Sequence, residues 1–496
     1  MALRGYIVIV PLGCLLGAAL LMAWPRGAWA QQYADPPLPA PPHTLAKLLS
    51  PIGVDEPVKE KNGDDKKDAE NKTSNTDWYS FHAQTTVVGQ GVTPFHSPYS
   101  GALSFQSPPK GLPGLSENFS GAVSETATLF MAFRFWENSE IIFNPEVAGG
   151  QGLSGANGIA GFPNGEITRV GIAAPTPYFA RLLWRQTIGL GGETEKVEDG
   201  VNQAKGNGVQ DVSRIVFGFG RFAATDIFDD NDYSHDPRSQ FMNWSLMYNG
   251  AWDYPANVRG YDNGAYVELN QKDWAIRYGV FQVAAVANGS ELDSRILKGN
   301  GHAVEFEQRW ELDGHKGEVK WLAYMNLAHM GSYALALQQN PTSPDVTQSR
   351  AYRIRYGFGY SFQQEICKDL GFFSRFGWNN GQDEAWMFTP IDLTVSAGLL
   401  LKGTSWSRPE DRIGLAGVSN GLSLVHQHYL EAGGSDFNLG DGKITYGMES
   451  SLETFYNCAI TKNLFLSGDF QFCANPGYNR DRGPVTIYTI RAQARF

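Results

Sequence analysis

The chain has 496 residues, 42% hydrophobic and 13% aromatic, with 51 acidic against 40 basic side chains for a net charge of −11. That acidity argues against nucleic acid as a partner, and four cysteines are too few for a disulfide framework. After residue 30 no stretch is long and apolar enough to cross a bilayer as a helix, which leaves a soluble β-sandwich or a closed membrane barrel as the architectures to decide between.

At the amino terminus Arg4 precedes an apolar run from Ile7 to Trp24, and Ala28-Trp29-Ala30 supplies the small residues that a signal peptidase reads. Residues 1–30 are therefore expected to be a secretory signal cleaved after Ala30. Pro11 and Pro25 argue against a retained membrane helix, and Cys14, with apolar residues after it, is not read as a lipoprotein cysteine. Removing the signal takes away Arg4 and Arg26 and no acid, so 38 basic residues face 51 acids and the charge becomes −13. Residues 31–77 open with the proline-rich stretch Asp35 to Pro42 and continue with the mixed-charge run Glu56 to Lys72. Such a segment buries too little apolar surface to fold alone and is expected to be a disordered periplasmic tether, with Thr44 to Leu49 the one candidate for a short docking helix.

From residue 78 to 496 a period of two recurs. It is clearest at Tyr352, Ile354, Tyr356, Phe358, Tyr360 and Phe362, which alternate with Arg353, Arg355, Gly357, Gly359, Ser361 and Gln363, and at Tyr488 to Phe496, where apolar residues alternate with Arg491 and Arg495. One greasy face and one wet face is what a strand needs between lipid and water. Counting alternations and turns places strands at 78–88, 126–136, 139–147, 177–189, 211–222, 262–270, 273–284, 301–312, 317–328, 351–364, 370–379, 393–402, 410–419, 444–457, 463–473 and 484–496. That is sixteen, an even number, as a bacterial outer-membrane barrel requires.

Short connections (Glu137-Asn138, Asp313 to Lys316, Glu365 to Asp369, Cys458 to Lys462) alternate with long ones, the asymmetry of periplasmic turns and extracellular loops. The connection from Gly191 to Gln210 is long for a periplasmic turn. A sixteen-stranded bore is too wide for side chains to fill, so loops are expected to fold inward. The prime candidate is Ala223 to Tyr261, whose segment Gln240 to Gly250 is expected to be a loop element, a short helix rather than an extra strand. The second is the glycine-rich Ala148 to Thr176. Cys458 and Cys473, roughly 33 Å apart at ~3.3 Å per residue, are expected to stay unbonded.

Four segments carry a family resemblance: Phe133 to Glu146 (FRFWENSEIIFNPE), Arg185-Gln186-Thr187 leading to Gly191-Gly192-Glu193, Gly220-Arg221-Phe222 with Asp226 to Asp229, and Asn475 to Asp481. In this order the chain resembles the carbohydrate-selective porins of the OprB type from about Trp78 to Phe496. The resemblance implies an outer-membrane channel passing sugars and similar small polar solutes by passive diffusion. The tether is a departure from the simplest members.

Sugar selectivity calls for aromatic faces that accept the C–H side of a pyranose and charged or amide groups that replace hydroxyl hydration, all binding weakly. Alternation and loop position make Arg134, Trp136, Glu140, Asn144, Arg181, Arg185, Arg221, Asp226, Asp229, Asp230, Arg238, Trp244, Trp252, Arg353 and Arg355 the candidate pore-lining track. Glu305, Glu307, Arg309 and Glu311 are also sent inward. The eyelet is expected in the loop that also carries Asp232, His235, Asp253 and Arg259. Asp226 to Asp232 has the carboxylates of a calcium site but not the spacing of an EF-hand loop, and is read as a polar constriction rim.

No cofactor is implied, and no nucleophile elbow, metalloprotease or phosphate-loop motif is present, so no enzyme is expected. Glu449 and Glu453 share a strand face but would stand ~13 Å apart, too far for a glycosidase pair. His426 and His428 are read as surface histidines. Phe496, a terminal aromatic after an alternating strand, is the expected insertion signal for the barrel-assembly machinery. It separates the barrel from a secreted glycan-binding β-protein. Within channels the alternative is a general or anion-preferring porin. Partners are then sugars and outer-membrane lipid, with a homotrimer the candidate assembly in a Gram-negative outer membrane.

Overall fold

The computed structural model describes residues 78–108, 120–167, 174–197, 200, 206 and 208–496. The expected signal, tether and docking helix lie outside the described residues. Strands β1 (Tyr79–Val92), β2 (Ser120–Trp136), β3 (Ser139–Gly150) and β4 (Thr176–Gly189) open the fold, and β5 (Thr194–Val197) pairs with β6 (Gly208–Asp211) as a separate hairpin. There follow β7 (Arg214–Phe222), β8 (Asp262–Asn270), β9 (Trp274–Phe281), β10 (Asn300–Leu312), β11 (His315–Met330), β12 (Ala351–Cys367), β13 (Leu370–Asn379), β14 (Leu393–Lys402), β15 (Arg412–Gly421), β16 (Glu449–Ala459), β17 (Leu464–Ala474) and β18 (Val485–Arg495).

Sixteen of these close into one antiparallel barrel in which sequence neighbours pair throughout and β1 meets β18, with Val88 opposite Arg491. All sixteen expected strands are present, and β8, β13 and β14 begin and end where expected. The hairpin of β5 and β6 explains the overlong turn after β4, because it is a structured excursion outside the barrel sheet.

The faces sort as the alternation requires. Tyr356, Phe358 and Ile490 are exposed on the outside, while Arg355 and Arg491, next to Tyr356 and Ile490 in sequence, are fully buried. Near the short-turn end the outer face carries aromatic residues in contact, Tyr79 with Phe81 and Phe133 with Phe135 among them, as the interfacial girdle of a membrane barrel does. Cys367, Cys458 and Cys473 are free.

The lumen is not an open tube. The 223–261 loop folds inside with a helix α1 (Trp244–Met247), capped by the Asn243 side chain accepting from Ser245 N, which agrees with the expectation of a loop element there. Phe228, Trp244, Trp252, Tyr254, Phe281, Trp386 and Phe388 form an apolar cluster inside the barrel. The glycine-rich loop after β3 also packs inward. Gly158 takes φ +80°, and a Cβ there would run into the backbone of Phe105.

Candidate functional site

Loops inside a barrel bring backbone N–H and C=O groups out of water, and each needs a partner. The inner wall supplies them. Glu449 accepts from the N–H groups of Ala160, Gly161 and Gly477 at 2.8–2.9 Å, Glu453 from Met242 and Asn243 at 2.5 and 2.9 Å, and Glu305 from Asp229 at 2.7 Å. Asp253, itself on the folded-in loop, accepts from Trp386 N at 2.7 Å and Phe388 N at 2.8 Å. Arginines do the converse for carbonyls. Arg375 donates to Leu246 O, Asp229 O and Ser234 O at 2.8–3.1 Å and to Asp229 Oδ1 at 3.0 Å. Arg355 donates to Asp383 O and Asp392 Oδ1, and Arg491 to Gln240 O and Pro237 O.

What these clamps leave free is a cavity of about 330 Å³ between β3, β4 and the 223–261 loop, with Glu166 from the loop after β3 on its border. One side of it is aromatic: Trp244 lies 5.4 Å from Tyr248 and 5.9 Å from Tyr254, ring centre to ring centre, and Tyr178 lies 6.0 Å from Tyr261. The other side is charged. Arg181 holds Asp226 with two prongs, at 2.8 and 2.6 Å, and donates to Asn144 Oδ1 at 2.7 Å. Arg238 bridges Glu166 at 2.6 Å and Glu146 at 3.1 Å, and the Tyr178 hydroxyl donates to Glu146. Burial pushes the Glu166 carboxyl up against the opposing pull of Arg238. For Arg238 burial works against the charge, and Glu166 and Glu146 more than restore it. Three arginines and five carboxylates line the space, so it holds no surplus of positive charge. A second hollow, of about 550 Å³ beside Ser120–Val123 and Gly150–Gly155, is lined without an ionisable side chain.

Of the residues expected on the track, Arg181, Asp226, Asp230, Arg238 and Trp244 border this cavity. Arg134, Glu140 and Arg185 come together near the short-turn end, with Arg134 Nε 2.7 Å from Glu140 and Arg185 Nη1 3.7 Å from it. Asp229, Arg355 and Trp252 are buried as loop fasteners or core and do not border the space. Arg353 faces inward toward the long-loop end, 3.7 Å from Asp383.

Two placements are corrections. Trp136 follows a register shift between Phe133 and Trp136 at the end of β2, is 54% exposed and donates to Gln186, so it stands at the rim and not on the bore. Arg221 shares the outward face of the exposed Phe217 and Phe219 and donates to Phe179 O. The carboxylates read as a rim are largely spent on arginine, Asp226 on Arg181 and Asp229 on Arg375. No metal cluster occurs among the described residues.

A third correction concerns His426. It is fully buried, with Nδ1 2.9 Å from Asp392 and Nε2 2.7 Å from Asp436, and its ring stacks on Tyr333 at 4.1 Å. Burial opposes its charge, but the two carboxylates raise its pKa to about 9. Tyr333 begins helix α2 (Tyr333–Gln339) and His426 lies on α3 (Leu424–Glu431), so this histidine ties together loops that follow β11, β13 and β15.

The residues that sequence reasoning left out are Glu146, Tyr178, Tyr248, Tyr254 and Tyr261, while Arg259, expected with the eyelet loop, does border the cavity. Tyr178 and Arg181 have opposite parity yet both border the cavity, because the pairing of β3 with β4 slips at Asn144/Pro145. Such a bulge flips the face without leaving a mark in the alternation.

The sequence pattern of the carbohydrate-selective porin family, OprB, matches residues 121–496. No curated protein matches the chain. Among solved structures, a high-pH structure of Pseudomonas putida OprB aligns at 17% identity and TM-score 0.61, over 84% of this chain and 94% of that one. A low-pH structure of the same protein aligns at 12% and 0.43, over 84% and 92%, and the DcaP channel of Acinetobacter baumannii at 8% and 0.44, over 84% and 97%. At 17% identity the first of these speaks for the fold alone. The family match starts after β1, the strand that closes the barrel.

Proposed function

The chain belongs to the carbohydrate-selective porin family, OprB, and from that premise we propose that its solutes pass through the cavity between β3, β4 and the 223–261 loop. The protein is a sixteen-stranded outer-membrane channel for carbohydrates. The observation that carries the proposed route is the cavity's two-sided chemistry. Tyrosine and tryptophan rings offer faces to the C–H side of a sugar. Opposite them, the pairs Arg181–Asp226 and Arg238–Glu166 keep acceptors and donors fixed but neutralised. A neutral polyol trades water for these groups at little net cost and leaves again, as conduction requires. The protein does no covalent chemistry on this reading. A general or anion-preferring porin is the weaker reading, since neither calls for the wall of rings that Trp244, Tyr248 and Tyr254 present to this cavity.

The test is single-channel current across a planar bilayer, titrated with glucose, maltose and succinate. Saturable block by the sugars at millimolar concentration is the expected result, and ohmic current indifferent to sugar refutes the route. Residues 1–30 are proposed to be removed on export, so that amino-terminal sequencing of protein taken from outer membranes starts at Gln31, with 31–77 a periplasmic tether. A homotrimer is the proposed assembly, read by cross-linking in the membrane.

A further inference from the structure

Two of the three arginines bordering the cavity are committed to carboxylates, Arg181 to Asp226 and Arg238 to Glu166 and Glu146. Arg259 is not. Its guanidinium lies over the Tyr178 ring, 4.2 Å from the centroid, no carboxylate among the described residues pairs with it, and its Nη1 is buried without an acceptor. The position is fixed from behind: Arg259 N donates to Asn257 Oδ1 at 3.0 Å, and Val258 N and Gly260 N donate to Gly289 O at 2.8 Å and Asn257 O at 2.9 Å. The Tyr178 hydroxyl is likewise spent on Glu146, so the ring under the guanidinium is held in place.

A buried donor without an acceptor costs about 1–3 kcal/mol, and a half-buried cation without a counter-charge is unfavourable in the same sense. The buried Nη1 is out of a solute's reach, but the missing counter-charge can be supplied at the Nε and Nη2 edge by an anion with two oxygens in one plane, which a guanidinium grips with two parallel hydrogen bonds. Resting on the reading of this cavity as the solute route, we propose that Arg259 is a specificity-determining residue that docks the carboxylate of sugar acids, aldonates and uronates, against Tyr178. The channel then takes a sugar acid in preference to a neutral sugar of the same size. The other two arginines give no such preference, because their own carboxylates already occupy them.

The test compares block of single-channel current by glucuronate and by glucose, in 0.1 M and 1 M KCl. In the wild-type protein glucuronate is expected to reach half-block at a roughly tenfold lower concentration than glucose in 0.1 M KCl, with the ratio shrinking at 1 M as salt screens the contact. Arg259→Gln is expected to bring the two concentrations together, and Arg259→Lys, which keeps the charge but loses the fork, to fall between. Arg259→Gln, which removes the charge, also shifts the zero-current potential in a KCl gradient toward cation preference while Arg259→Lys does not, a readout that looser packing alone does not produce. Equal block by the two solutes in the wild type, or an undiminished ratio in Arg259→Gln, overturns the assignment and leaves the sugar route standing. Absence of block by either solute overturns the route and this inference with it.

Discussion

Replacing Arg375 by methionine removes the side chain on which the folded-in loop is most heavily fastened. Arg375 is fully buried and makes four hydrogen bonds, one to the Asp229 carboxylate and three to the carbonyls of Asp229, Ser234 and Leu246. Removing one partner of a buried ion pair costs about 3–5 kcal/mol, because the other charge is left behind. The Asp229 carboxylate keeps only its bond from Asn249 N at 2.6 Å. The loop retains Glu453 and Glu305 as independent fasteners, so the barrel assembles and the cost falls on the loop's docked state. At about 1.4 kcal/mol per tenfold, the equilibrium between docked and undocked loop moves by roughly two to three and a half orders of magnitude. In single-channel records Arg375→Met is expected to show added noise and excursions to higher conductance, with sugar block weakened in the same traces. The double variant Arg375→Met/Asp229→Asn leaves no orphaned charge and is expected to recover part of the quiet trace. Quiet, wild-type conductance in the single variant would refute the view that wall arginines set the bore.

Phe496 is 73% exposed, yet its backbone exchanges hydrogen bonds with Ala83 at 2.8 and 3.0 Å; Phe496→Ala therefore keeps the seam and removes only the ring, and reduced outer-membrane assembly of this variant in a fractionation assay isolates the insertion signal, while normal assembly removes it. For His426 the folded pKa, about 9, lies above the ordinary 6.5, so the stabilisation is complete below pH 6.5 and is lost as pH rises through 9; loop cleavage by protease in detergent is expected to accelerate between pH 8 and 10 in the wild type, and a His426→Gln variant with the same step would count against the bridge. Trp136→Ala, at the rim, is expected to leave sugar block unchanged while Tyr248→Leu, facing the cavity, weakens it severalfold; the reverse order in the same bilayer assay would relocate the route.

The barrel was legible because a strand between lipid and lumen writes its two faces into every second residue, as Tyr352 to Gln363 do without interruption. The inward loop was legible from length and from the density of aromatic and charged side chains between residues 223 and 261. The roles of the lumenal charges were not. Alternation sends Arg355 and Arg491 inward, but whether such a side chain meets water or a loop carbonyl depends on a partner far along the chain, Gln240 for Arg491. His426 fails for the same reason, since one of its two carboxylates is contributed by the segment before β14. Tyr178 was hidden by a one-residue slip in pairing. Long-range contact, not local pattern, decides which charges a solute meets.

The apolar cluster inside the lumen means that the chain uses the hydrophobic effect twice and in opposite senses. On the outside, Phe358 and Ile490 are stable only where water is replaced by hydrocarbon. On the inside, Phe228, Trp252, Trp386 and Phe388 are buried as in an ordinary water-soluble domain, with the barrel wall as the other half of the core. The interior therefore answers to urea and temperature like a small soluble protein, while the shell answers to the surrounding amphiphile. A change of detergent and a change of denaturant are expected to act on different halves of one molecule, so that melting followed by tryptophan fluorescence is expected to show two steps, the interior loosening first.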